Sequence, residues 1–161
     1  MGSIELGLNS VNEDRPGNYL DLVLDKVVND DCINVLRNLP DDSINTIITS
    51  PPYFNQREYG EKGIGNEERV EEYVGNLINI FTQCVRVIKQ DGSIFFNIGD
   101  KYLDSSLMLV PYRFAMEAQK IPDVKLINQI TWVKPNPQPR QFQRRLVNST
   151  EPIFHFVKSN S

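Results

Sequence analysis

The residues best suited to chemistry are Thr49-Ser50-Pro51-Pro52-Tyr53. Two consecutive prolines fix φ and remove two amide donors, so the segment is rigid and its carbonyls point where the rings dictate. Ser50 places a hydroxyl before the prolines, and Tyr53 places a flat aromatic face after them. A hydroxyl, fixed carbonyls and an aromatic plate together suit one planar guest bearing an amino group. A bare Pro-Pro-Tyr also marks stiff turns and proline-rich ligands. Its place in the fold therefore decides.

The elements that position this segment are legible from apolar spacing. Residues 22–28 read as a short strand ending at Asn29-Asp30-Asp31. A helix follows, with Asp31 as its cap and Ile33, Leu36 and Leu39 on its inner side. Pro40-Asp41-Asp42 turns the chain into residues 43–49, whose Ile44, Ile47 and Ile48 suit a buried strand. Residues 50–66 lack apolar periodicity and form a long loop. Val70, Tyr73, Val74, Leu77, Ile80, Phe81, Cys84, Val85 and Ile88 then recur at spacings of three and four, the clearest helix in the chain. Asp91-Gly92 closes it, and residues 93–98 form the next apolar strand. A helix over 107–120, a strand over 124–133 and a last strand over 152–157 complete the pattern, with His155 as a sheet residue between two phenylalanines. Strand and helix alternating at this spacing imply an α/β domain with a largely parallel sheet. Ligands in such sheets sit beyond the carboxyl ends of the strands, where Ser50-Pro51-Pro52-Tyr53 begins.

Composition and charge narrow the function classes. The 161 residues are 40% hydrophobic and 24% charged, ordinary for a globular chain of one domain. Residues 1–20, a mixture of Asn, Gly, Ser and Pro, read as a poorly ordered lead-in, leaving 21–161 as the folded part. No stretch approaches a membrane span and the N-terminus has no secretory pattern. Cys32 and Cys84 lie on expected helices without CxxC or Cys/His spacing. They read as small buried hydrophobes in a reducing cytoplasm, and no metal site is expected. A net charge of −4 counts against a nucleic-acid partner, but it hides an asymmetry. Residues 1–31 hold seven acids and two bases, whereas 134–158 hold Lys134, Arg140, Arg144, Arg145 and Lys158 against Glu151 alone. Phosphate contacts belong in that basic stretch.

Ser50-Pro51-Pro52-Tyr53 resembles the SPPY form of the catalytic signature in DNA methyltransferases that modify exocyclic amines. The likeness runs over about residues 27–158. Asp31 through Leu36, and Leu39-Pro40 to Ile48, are similar to the acidic turn, helix and strand that lead into that signature. Val85 to Ser93, Asn97-Ile98-Gly99-Asp100, Trp132-Val133-Lys134-Pro135-Asn136-Pro137 and Asn148-Ser149-Thr150-Glu151 to Lys158 resemble later blocks in the family's order. The resemblance implies a Rossmann-like methyltransferase sheet, mostly parallel with a C-terminal antiparallel strand, of which this is the catalytic half. It implies a base flipped out of double-stranded DNA, with Tyr53 stacked on it and Pro52 keeping the corner rigid. The Ser50 hydroxyl and Pro51 carbonyl accept hydrogen bonds from the base's amino group, and S-adenosyl-L-methionine donates the methyl in a direct displacement. Lys134, Asn136, Arg140, Arg144 and Arg145 are the expected DNA contacts. Asp31 is an expected contact to the cofactor's adenosine, and equally a plain helix cap.

Serine at the first signature position resembles the cytosine-N4 branch, within a restriction-modification or similar system of a bacterial or archaeal cytoplasm. Adenine N6, an RNA base or a protein glutamine are other targets of related signatures, and a degenerate subunit that only binds DNA or a partner is a non-enzymatic alternative. One departure from the family is large. Its glycine-rich cofactor turn, Asp-Pro-Phe-x-Gly-x-Gly, has no match, since Gly60, Gly63 and Gly65 follow no apolar strand. In the permuted order with the catalytic block first, that turn and the base-reading region come later, so a second chain or a missing C-terminal half is expected to supply them.

Overall fold

The structure, a computed structural model, describes residues 18–57, 63–137 and 144–159. The expected lead-in over 1–20 lies outside the described residues except for its last three. From there the chain enters a short helix, α1 (Tyr19–Val23), where a strand over 22–28 was expected. Asn18 explains the difference, because its side chain accepts from the Leu20 amide at the helix start. Asp25 then turns in the left-handed region at φ 58, and Val27 is fully exposed, so among the described residues this segment has no strand partner or buried face.

Helix α2 (Cys32–Asn38) is capped as expected, its Ile33 amide donating to Asp31 Oδ1 at 2.8 Å. Leu36 packs on the core and Leu39 is buried. Cys32, by contrast, is exposed, because the first turn of α2 faces outward; Cys84 is buried as expected, and burial pushes its thiol up to about 12. The next turn is held from a distance. The Arg86 guanidinium donates to Leu36 O, Leu39 O and Asp41 Oδ1 at 2.6, 2.9 and 2.5 Å, satisfying carbonyls left over at the end of α2.

Strand β1 (Ile44–Thr49) pairs in parallel with β2 (Ile88–Asn97). Between them runs α3 (Val70–Val87), the crossover helix that apolar spacing predicted. β2 starts directly at the helix end, earlier than residue 93. Its register with β1 shifts between Ile44 and Thr46, and Gly92 lies in that irregularity. A Cβ on Gly92 would stand 2.6 Å from Ile88 Cγ1 and 2.8 Å from Asn45 O, so the crossing of the two strands there admits only glycine.

After β2 come a two-residue hairpin, β3 (Tyr102–Leu103) and β4 (Ser106–Leu107), then α4 (Val110–Ala118). The hairpin replaces the first turn of the helix expected from 107. Asp104 and Ser105 turn it at φ 48 and 66, a role that Asp-Ser signals more weakly than Asn-Gly. Asp100 Oδ1 accepts from the Lys101 and Val110 amides at 2.8 and 3.0 Å, tying the hairpin's start to the start of α4. Strand β5 (Val124–Val133) has the expected bounds, and β6 (Thr150–Lys158) begins two residues earlier than expected.

The sheet order is β1-β2-β6-β5. β6 is antiparallel to both neighbours, so β1, β2 and β5 run one way and β6 alone runs back. The expected sheet, mostly parallel with a reversed C-terminal strand, is therefore the one observed. Helices α3 and α4 cover one face. Phe81 of α3 centres that core, its ring 5.5 Å from Phe96, 5.6 Å from Phe114 and 4.8 Å from Phe156. The other face carries Ile48, Phe95, Ile130, Trp132, Ile153 and His155 by strand alternation. β1 was expected to be buried. It is an edge strand instead, and Ile48 is 78% exposed on that uncovered face.

Phe81 has no exposed surface and touches rings from β2, α4 and β6 together. Phe81→Ala is expected to lower unfolding stability by about 3–5 kcal/mol. Urea titration of the chain measures this; a loss under about 1 kcal/mol would move the centre of the core elsewhere.

Candidate functional site

The expected catalytic segment leaves the carboxyl end of β1 beside that of β2. Its geometry is fixed from below. Pro52 O accepts from the Tyr73 hydroxyl at 2.8 Å, and Tyr73 is wholly buried on α3. Phe54, one residue past the signature, is buried against Tyr73 with ring centroids 5.5 Å apart. Beyond it the Asn55 amide donates to Gly65 O at 2.6 Å, and Gly65 adopts a left-handed φ of 109 that favours glycine. Ser50-Pro51-Pro52-Tyr53 is thus clamped between a strand and a core anchor.

Tyr53 is set by two contacts. Its ring lies against Gly99, where a Cβ would stand 2.5 Å from both Cδ2 and Cε2. Its hydroxyl lies 3.0 Å from Ser50 Oγ, 2.7 Å from Asn97 Oδ1 and 2.9 Å from Glu151 Oε2. Ser50 Oγ also reaches Asn97 Oδ1 at 3.4 Å, and Asn97 Nδ2 donates to Pro152 O at 3.2 Å. Glu151 Oε1 is bonded to Lys134 Nζ, and Lys134 also stands over the Trp132 ring, 5.7 Å from its centroid. Asn97 and Glu151 are the buried polar residues among those described. Both are hydrogen-bonded, as burial in low dielectric demands.

Glu151 and Lys134 carry this network to a cavity of about 410 Å³, which they line together with Gln56, Asp100, Tyr102 and Arg145. Of the expected DNA contacts, Lys134 and Arg145 line it, and the Arg145 guanidinium covers the Tyr102 ring at 3.9 Å. Asn136 and Arg144 are exposed next to the lining residues Pro137 and Arg145, whereas Arg140 lies outside the described residues. Asp31 is not brought to this cavity. It lines a second cleft of about 840 Å³ with Arg37, Ile64, Asn66 and Asn76. His155 is the sheet residue expected, stacked on Phe95 at 4.2 Å with Nε2 2.9 Å from Ser93 Oγ; burial lowers its imidazole from the ordinary value. Among the described residues no group of three or more His, Cys, Asp or Glu could hold a metal, and no helix is long and apolar enough to cross a membrane.

Apolar spacing and charge left three participants unmarked: Asn97, Gly99 and Glu151. Each lies in a block that resembles the family, but nothing in its residue type says what it touches. Gly99 is plain in the structure because only a residue without a Cβ lets the ring lie there. Asn97 and Glu151 are plain because both are buried and polar.

Chemically the arrangement is a rigid aromatic plate with a hydroxyl at its edge, linked through Glu151 to a polar cavity lined by Lys101, Lys134 and Arg145. The DNA methylase family model matches residues 44–161. The chain is 45% identical over 145 residues to the type II methyltransferase M.MwoI of Methanothermobacter wolfeii, covering 86% of this chain and 21% of that protein. It is 37% identical over 147 residues to M.SfiI of Streptomyces fimbriatus, covering 80% of this chain and 35% of that one. The chain thus spans about a fifth to a third of these relatives. Among solved structures, the cytosine-N4-specific PvuII DNA methyltransferase shares the fold at a TM-score of 0.69 and 22% identity, covering 81% of this chain and 48% of the other. The Thermus thermophilus protein TTHA0409, complexed with S-adenosyl-L-methionine, shares it at 0.63 and 21% identity, covering 80% and 53%. With its signature loop at the carboxyl end of β1 and the family match running from that strand onward, this chain belongs to the DNA methylase family.

Proposed function

We propose that this chain supplies the target-base site of a restriction-modification DNA methyltransferase that methylates cytosine N4 in double-stranded DNA. The observation that carries this is the Tyr53 ring, fixed over Gly99 beside the Ser50 hydroxyl and joined through its own hydroxyl to Glu151, which lines a polar cavity. A flipped base stacks on that ring, and Ser50 Oγ with the Pro51 carbonyl accepts from its amino group. The lone pair of the amine is then left free for the incoming carbon. S-adenosyl-L-methionine, when bound, supplies an electrophilic methyl group. Asp31, on the cleft beside Asn66 and Asn76, offers a carboxylate toward its adenosine. Lys134, Asn136, Arg140, Arg144 and Arg145 hold the flanking phosphates, which draws the DNA to the basic end of an acidic chain. Serine at the head of the signature supports cytosine over adenine, and such a system places the enzyme in the cytoplasm of a bacterium or archaeon.

The uncovered sheet face and the free edge of β1 support a further part of the reading. Ile48, Trp132 and Ile130 stay at least 45% exposed on one face, a patch that in a stable assembly is covered. The segment that covers it carries the glycine-rich cofactor turn and the base-reading region, as a second chain or as more of the same one. The parts of M.MwoI outside its matched region are a source for it. Mixed with this chain, they are expected to restore cofactor binding and N4-methylcytosine, read by calorimetry and nucleoside mass spectrometry. Methylation by residues 1–161 alone, or N6-methyladenine as the product, overturns the corresponding part.

Tyr53→Ala in that reconstituted enzyme is expected to slow turnover by about 5- to 150-fold, equivalent to roughly 1–3 kcal/mol of base stacking. Melting curves should hold, because Phe54 and Tyr73 still anchor the loop. Wild-type turnover would end the stacking role.

Replacing Arg144 and Arg145 together with glutamine should weaken binding to every duplex and reduce the slope of log K against log salt by about 2. Binding titrations from low to moderate salt measure it. An unchanged slope leaves the two arginines as ordinary surface.

A further inference from the structure

We infer that Glu151 is a positioning residue that acts through Tyr53, directing the hydrogen bonds of the loop so that the Ser50 hydroxyl accepts rather than donates toward the substrate. The inference rests on the reading of Ser50-Pro51-Pro52-Tyr53 as the base-binding loop. Glu151 is 8% exposed. A buried carboxylate is costly unless each oxygen has a partner. Its two oxygens face different elements: Oε1 bonds Lys134 at the end of β5, and Oε2 lies 2.9 Å from the Tyr53 hydroxyl, 98 residues away in sequence. A carboxylate that merely paired with a lysine would not need to reach the catalytic loop.

Proton counting gives the contact its direction. Tyr53 has one hydroxyl proton to give, and Asn97 Oδ1 and Glu151 Oε2 both stand as acceptors within 3 Å of it. The ionised acceptor makes the stronger bond, so the proton goes to Glu151. The phenol oxygen is then an acceptor, and the Ser50 hydroxyl, 3.0 Å away, donates to it. The resulting chain runs Ser50 to Tyr53 to Glu151. It spends the serine proton inside the protein and leaves the lone pairs of Ser50 Oγ for the amino group of a bound base. Without the charge on Glu151, the Tyr53 proton turns to Asn97, and the less polarised phenol oxygen accepts more weakly from the serine hydroxyl. Lys134, which lines the polar cavity, loses its ion-pair partner at the same time.

The test uses Glu151→Gln, which keeps shape and burial but removes the charge, with Tyr53→Phe and the double variant. In the reconstituted enzyme, Glu151→Gln is expected to lower kcat by tenfold or more, with KM for unmethylated plasmid DNA changed less than twofold. The double variant should be no slower than Tyr53→Phe alone, because the effect passes through the phenol. Multiplicative losses, or a wild-type kcat in Glu151→Gln, overturn the inference. A second measurement needs no turnover. In the chain labelled with ¹³Cε-tyrosine, the Tyr53 signal is identified by its loss in Tyr53→Phe. It is expected to shift in Glu151→Gln while the signals of Tyr19 and Tyr112 stay in place, and an unmoved Tyr53 signal overturns the inference. Should the wild-type assembly methylate nothing, the reading of the loop fails and the positioning role fails with it; the Tyr53 signal then reports the hydrogen bond alone.

Discussion

The Tyr53 ring and the Gly99 backbone lie so close that one added methyl group would overlap two ring carbons. Much of the site follows from that approach. The ring is held flat against that backbone. The hydroxyl meanwhile meets Ser50 and the polar pair, Asn97 and Glu151, at the neighbouring strand ends. Gly99 in turn is held by the buried end of β2, where Phe96 and Ile98 point into the helix-covered core and Asn97 points away from it. The alternation of one strand therefore places an apolar anchor, a hydrogen-bond acceptor and a ring-sized gap within four residues.

The fold that supports this contact is lopsided. Phe81, Phe96, Phe114, Phe154 and Phe156 fill the space between the sheet and α3 with α4, and all are fully or almost fully buried. The opposite face has no helix over it among the described residues, and its apolar side chains stay in water. At about 25 cal/mol per Å² of apolar surface, an uncovered face is stabilisation the chain forgoes by itself. The site lies at the sheet's end, where Phe54 and Tyr73 anchor its loop on the covered side while Asn97 and Glu151 hold its hydroxyl from strand positions facing the other way. The geometry around Tyr53 thus exists in this chain without a helix over the opposite face.

Legibility in the sequence followed the physics of each element. Helix α3 and strands β5 and β6 were readable because long apolar periodicity survives tertiary context. The bounds of β2 were not, because Gly92 looks like a helix stop but serves a strand irregularity. Residues 22–28 look like a strand by composition, yet a strand needs a partner, and composition does not say whether one is present. Ile44, Ile47 and Ile48 likewise promised a buried strand, when β1 is an edge. The signature loop was legible because two prolines and a tyrosine carry their mechanics with them. Glu151 was not, since a lone acid in a basic stretch looks like a solvated charge until the fold buries it.

The reversal of one strand joins these observations. β1, β2 and β5 deliver their carboxyl ends to one edge of the sheet, bringing Ser50, Asn97 and Lys134 there. A fourth parallel strand would add its own carboxyl end. Because β6 runs back, it instead brings its beginning, so Glu151 sits opposite Trp132 and within reach of Tyr53. The site is therefore built from four strands, three by their ends and one by its start. Each contributes one polar group to a network that no local segment contains. A sheet of four parallel strands would put a different set of residues there, and the acid that meets the phenol would lie at the far side of the fold.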